Sequence, residues 1–167
     1  MDIRSVQEPF KQRYREDPSA SRITLHASAG ERDTPFSCSV DLGRAIYEAQ
    51  AHSGVGAPGT AACSGDLLLG ALAACAQVTC QMVAAAMGIE AHVEVAVEGD
   101  LDLRGALGID RELTPGFQSI RVRFDVDAPS AEPEQLRALH EKAERYCTVL
   151  QTMLRPPAIE TAMPAAT

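Results

Sequence analysis

Hydrophobic positions along this chain recur with two periods, about 3.6 and 2 residues, and the switches between them outline its elements. Residues 3–15 set Val6, Phe10 and Tyr14 at helical spacing among alternating charges, and Asp17-Pro18 closes the run, which predicts an amphipathic N-terminal arm over 1–18. Residues 22–27 and 36–42 alternate with period two, and Gly30-Glu-Arg-Asp33 offers a turn between them, so two paired antiparallel strands are expected. Residues 45–51 leave helix and strand open. The Gly-, Ser- and Pro-rich stretch 52–60 reads as a loop, and Ser64 is the expected N-cap of a long apolar helix that Gly88 stops after Met87. Such a helix extends roughly 35 Å and crosses most of a small domain.

Strand character returns in 91–98, where Val93, Val95 and Val97 share one face, and in 117–127, where Ile120, Val122, Phe124 and Val126 alternate with charges. The connection 101–116 is turn-rich and undecided. Ser130-Ala-Glu-Pro-Glu opens a further helix with Leu136, Leu139, Ala143, Tyr146 and Leu150 on one face, and a short extended segment is expected after Pro156-Pro157. The order ββ-α-ββ-α-β indicates an α+β fold in one domain, 19–167, behind the arm.

Composition narrows the function. With 15 basic against 23 acidic residues and a net charge of −8, the chain lacks the cationic surface that binding a phosphate backbone demands, so no nucleic-acid partner is expected. The first residues carry no apolar signal core, and the most apolar run, 67–89, is Ala-rich and interrupted by Gln77, Thr79 and Gln81. It reads as the core helix of a soluble cytoplasmic protein with no membrane partner. Gly54-Val-Gly56-Ala-Pro-Gly59 spells a dinucleotide-binding fingerprint, but no buried parallel strand precedes it and no acidic residue stands at the required distance beyond it. A plain loop is the better reading, and no cofactor is expected.

Five cysteines, at 38, 63, 75, 80 and 147, are odd in number and nothing indicates secretion, so no disulfide framework is expected, and neither C-x-x-C nor paired histidines suggest a metal. They are packing residues or reactive thiols. On a helix Cys75 shares a stripe with Leu68, Leu72, Thr79 and Met82, whereas Cys80 lies about 140° around the axis and cannot pair with it. Cys75 stands eleven positions after Ser64, too deep for the helix N-terminus to lower its pKa; any reactivity requires positive charge from elsewhere.

Asp66-Leu-Leu-Leu-Gly-Ala-Leu-Ala-Ala-Cys75 behind a Gly-rich loop, followed some seventy residues later by Ala143-Glu-Arg-Tyr-Cys147-Thr-Val-Leu-Gln-Thr, resembles the OsmC/Ohr family of organic hydroperoxide reductases over residues 23 to the C-terminus. The resemblance implies an intertwined homodimer with antiparallel sheets wrapped around long central helices. It implies that Cys75 is the peroxidatic and Cys147 the resolving cysteine of a thiol peroxidase, re-reduced by an external dithiol such as a lipoylated protein. Arg32 matches the family's turn arginine, which would favour the thiolate; the alternative is a solvated turn charge. Gly65 occupies the position where the hydroperoxide-reductase branch carries glutamate, while Asp66 matches the acidic residue of the broader OsmC-like branch, or simply stabilises the first helical turn. Thr148 stands where many members have proline. Leu68, Leu72, Met82 and Tyr146 would line an apolar pocket suited to bulky organic hydroperoxides. The competing class is a non-enzymatic small-molecule-binding or redox-sensing protein on the same scaffold.

Overall fold

The computed structural model describes residues 3–17, 28–31, 37–41, 46–108 and 110–163. In chain order these form α1 (Ile3–Glu16), β1 (Ser28–Glu31), β2 (Ser37–Asp41), β3 (Ile46–Gln50), α2 (Ser64–Met87), β4 (His92–Leu101), α3 (Leu103–Ala106), β5 (Phe117–Asp127), α4 (Pro133–Tyr146) and α5 (Thr148–Leu154). Strands β1, β2 and β3 make one antiparallel sheet, and β4 pairs with β5 in a second. The fold is thus α+β with antiparallel sheets.

Helix α2 organises the body. Its buried residues Leu72, Ala76, Cys80 and Ala84 recur every fourth position, giving one narrow stripe of small side chains against which other elements approach closely. The apolar face of the β4–β5 hairpin supplies the partner surface. In its register Val93 faces Val126, Val95 faces Phe124 and Val97 faces Val122, all on one side. The opposite side carries Glu98, Asp100 and Arg121, with the Arg121 guanidinium bridging both carboxylates across the strands. From the other flank α4 contributes Leu139 and Ala143, which with Cys80, Ala84, Ile89, Val93 and Ala128 form the larger core. Leu72 and Leu139 retain almost no exposed surface, and each such burial stabilises by about 1.5–3 kcal/mol.

The helix ends follow from local chemistry. At the start, the Asp66 carboxylate accepts the Cys63 N–H at 2.9 Å and the Cys63 sulfur accepts the Asp66 N–H at 3.4 Å, so the cap residue is Cys63 rather than Ser64. At the end, Gly88 adopts φ 72°, the left-handed conformation that glycine enters without strain. Buried Gln50 ties β3 to this lead-in: its side-chain amide donates to Thr60 Oγ1 at 2.9 Å and accepts the Thr60 N–H at 3.2 Å.

Several expectations are corrected. Gly30 and Glu31 belong to β1 rather than to a turn, because strand pairing with β2 runs through Glu31 and Cys38; residues 22–27 lie outside the described residues. The undecided segment 45–51 is strand β3, and 101–116 contains the short α3. The helix at 130 begins with Pro133 and is capped by Glu132, whose N–H donates to Gln135 at 2.9 Å. No strand follows Pro157 among the described residues. The single helix foreseen through Leu150 is broken at Cys147 into α4 and α5.

Candidate active site

That break builds the site. Cys147 has ψ 103°, an extended value that ends α4 after Tyr146, and α5 restarts at Thr148 in a new direction. The interruption is satisfied locally: the Cys147 N–H still donates to the Ala143 carbonyl at 3.0 Å, and the Gln151 side chain donates to the Glu144 carbonyl at 2.9 Å. Cys147 is wholly buried with Leu72 and Ala76 in a second small core, against which Cys75, Val149, Leu150 and Met153 pack. The two cysteines, 72 positions apart in sequence, are therefore neighbours, and both are free thiols.

Cys75 flanks the buried stripe of α2 and stays partly exposed. Burial pushes its thiol pKa up, but four donors outweigh this and hold it below the ordinary thiol value: the Val149 N–H, the Cys147 thiol, the Thr79 hydroxyl and the Thr148 N–H. Thr79 is placed one helical turn beyond Cys75 on the same face, the direction in which helical side chains lean toward the N-terminus. The two amides belong to the first turn of α5, whose N–H groups have no partner within the helix. Cys147 moves the opposite way. Burial raises its pKa most, the Leu150 N–H opposes this, and the neighbouring charge on Cys75 adds to the rise. The two thiols are therefore shifted in opposite directions, the reachable sulfur toward easier ionisation and the buried one away from it. Among the described residues, the groups that lower the Cys75 pKa are hydrogen-bond donors.

The remaining predicted residues separate. Asp66 stands nine residues before Cys75, about 13 Å along the helix axis, and its carboxylate closes the helix cap; the Cys63 N–H holds its pKa below the usual range. Gly65 is walled in: a Cβ there would stand 3.3 Å from the Phe117 ring and 3.4 Å from the Cys63 sulfur. Arg32 lies outside the described residues. Met82 and Tyr146 line a cleft of about 590 Å³ together with Thr79 and Thr148, two of the groups that donate to Cys75. Leu68 lines a different cavity of about 400 Å³ beside Cys63 and Phe117 at the start of α2. Leu72 lines neither, because its position in the every-fourth-residue stripe turns it into the core. Thr79 was legible as a partner from its i+4 spacing, whereas the Thr148 and Val149 amides had no sequence signal.

The sequence profile of the family described as OsmC-like protein matches residues 57–162, a span that contains the α2 cysteine, the broken helix and both strands of the β4–β5 hairpin. No curated protein sequence matches the chain. Among solved structures, an OsmC-like protein from Mycoplasma pneumoniae superposes with a TM-score of 0.67 at 16% identity, over 80% of this chain and 89% of that one. An organic hydroperoxide resistance protein from Elizabethkingia anophelis gives 0.58 at 20% identity, over 81% and 91%. One from Legionella pneumophila, described as an organic hydroperoxide resistance protein OsmC, gives 0.58 at 19% identity, over 81% and 92%. These likenesses establish the fold, and with the profile match over most of its length the chain belongs to the OsmC-like family.

Proposed function

We propose that this protein is a two-cysteine thiol peroxidase that reduces organic hydroperoxides to alcohols. The observation that carries the reading is the packing of a partly exposed free thiol, Cys75, against the wholly buried free thiol of Cys147 in one small core, with donors that favour the ionised form of the reachable sulfur. The Cys75 thiolate attacks the distal peroxide oxygen, the O–O bond breaks, and the alkoxide leaves with a proton from the adjacent Cys147 thiol. Sulfur is oxidised by two electrons to sulfenic acid while the hydroperoxide is reduced to the alcohol. The Cys147 thiolate then attacks the Cys75 sulfur, hydroxide leaves and is protonated to water, and a disulfide remains. An external dithiol, of the kind a lipoylated protein carries, restores both thiols by two exchanges and is itself oxidised to a disulfide. The apolar side chains of Met82, Val83, Ala86 and Tyr146 in the cleft beside Cys75 favour bulky organic hydroperoxides over hydrogen peroxide.

The working form is a homodimer in a reducing compartment, the cytoplasm. Helix α2 is long and apolar enough to cross a membrane by length and composition, yet only 22% of its most apolar 18-residue window is buried within the chain. Leu68, Val78 and Met82 are 45%, 51% and 38% exposed, while the other face is packed on β4 and α4. A second copy of the same helix covers such a half-packed face with matching small and apolar side chains.

Consumption of cumene hydroperoxide by the reduced protein with dihydrolipoamide as donor tests the reading. Native turnover, its loss in Cys75→Ser, and a single oxidation without recycling in Cys147→Ser are expected. No native turnover would overturn it in favour of a binding or redox-sensing role.

A further inference from the structure

Four groups donate to the Cys75 sulfur, and they differ in what else they can do. The Thr148 and Val149 amide nitrogens each offer a hydrogen and no acceptor site, so they serve the sulfur and nothing more. The Cys147 thiol is wholly buried, and its sulfur is a weak acceptor. The Thr79 hydroxyl is the exception, because with its hydrogen directed at the sulfur two oxygen lone pairs remain. Thr79 also lines the cleft of about 590 Å³ with Met82, Tyr146 and Thr148, and of the α2 residues there it stands nearest to Cys75, one helical turn away. The usual destination of a helical threonine hydroxyl is the carbonyl four residues earlier, as Thr152 shows at 2.8 Å to the Thr148 carbonyl; the Thr79 hydroxyl serves the Cys75 side chain.

We propose that Thr79 is the residue that positions the peroxide: its hydroxyl accepts the O–H of the bound hydroperoxide while donating to Cys75, and so sets the distal oxygen against the sulfur. A hydroperoxide has one hydrogen to give, and that hydrogen sits on the distal oxygen. Its acceptance by a hydroxyl already bonded to the sulfur brings the distal rather than the proximal oxygen to reacting distance, about 3–3.5 Å. Thr79 neither gains nor loses a proton. The sulfur bonds to the distal oxygen as the O–O bond breaks, and the alkoxide leaves with the Cys147 proton. The hydrogen stays on the transferred oxygen as the S–O–H of the sulfenic acid, still donating to Thr79. The inference rests on the peroxidase reading and adds to it the group that selects which oxygen is attacked.

Two rates followed across pH in the fully reduced protein separate this role from an effect on ionisation alone. Alkylation of Cys75 by iodoacetamide reads the thiolate, and single-turnover oxidation of Cys75 by cumene hydroperoxide reads the thiolate and the placement of the peroxide together. Thr79→Val keeps the shape and removes the hydroxyl; it should slow both reactions at neutral pH, because a lost donor raises the Cys75 pKa. Above the Cys75 midpoint alkylation should return to the native rate, while oxidation stays roughly fivefold slow, the worth of one hydrogen bond. Thr79→Ala should behave in the same way, and Thr79→Ser should restore most of the oxidation rate. Protection of Cys80 and Cys147 from label shows that each variant is folded. Oxidation that recovers in step with alkylation, or a Thr79→Ser variant no faster than Thr79→Val, would overturn the positioning role and leave the peroxidase reading intact. If native Cys75 is alkylated but cumene hydroperoxide does not oxidise it, the peroxidase reading fails and the positioning role falls with it.

Discussion

Cys75 and Cys80 stand five residues apart on the same helix, and the structure makes opposite things of them. Cys80 sits in the larger core with Ala84, Leu139 and Ala143, its thiol is 1% exposed, and burial pushes its pKa up with nothing to counter it. Around Cys75 burial acts in the same direction, yet the broken helix α4–α5, the Thr79 hydroxyl and the Cys147 thiol bring donors that reverse it. Helix position and burial therefore do not by themselves decide which way a thiol's pKa moves. Donors supplied by a second element do, because an ionised sulfur in a partly dry site is stabilised only by groups already aimed at it.

The comparison breaks most severely at Cys147. Cys147→Ala removes the thiol donor, raises the Cys75 pKa toward the ordinary range, and should slow alkylation of Cys75 at neutral pH about tenfold, the worth of one hydrogen bond to a charged acceptor. The sign is fixed: losing a donor to the thiolate lowers the thiolate fraction at pH values below the raised pKa, so the deficit should vanish in alkali. Cys147→Ser keeps a donor and should retain most of the rate. On the Cys80 side the effect is on stability. Cys80→Ala leaves a small cavity and should destabilise by about 1–2 kcal/mol in urea unfolding, while Cys75 alkylation proceeds as in the native protein. Thr148→Pro sharpens the comparison with the least perturbation. Proline is tolerated at the first position of α5 but has no N–H, and one of the weaker donors to Cys75 is lost. A slowing of about two- to threefold in the same alkylation assay is expected.

Much of this architecture was legible from spacing alone. The long apolar run after Ser64 marks α2, its end is written in Gly88, and period-two alternation places β4 and β5 within a few residues of their limits. The cysteine pair was legible through its resemblance to a family, which joined two motifs that no local pattern connects. The break at Cys147 was not, because neither glycine nor proline marks it and the apolar spacing from Leu136 continues through Leu150 as though the helix were whole. Leu72 was misread for a related reason: a helical stripe shows which residues share a face but not which side of that face meets the sheet. The cap was placed one residue late, since cysteine is a weak acceptor and Ser64 beside it is a stronger one in sequence terms. The last strand was expected from a proline pair, yet residues 156–163 join neither sheet.

The most direct measurement is the pH dependence of alkylation, resolved cysteine by cysteine by peptide mass spectrometry, in the fully reduced native protein. Cys75 should react first, with a midpoint below that of a free thiol such as N-acetylcysteine, while Cys80 and Cys147 stay protected until the fold opens. A Cys75 midpoint at or above the free thiol, or labelling of Cys147 ahead of Cys75, would contradict the opposite shifts of the two thiols on which the proposed chemistry stands.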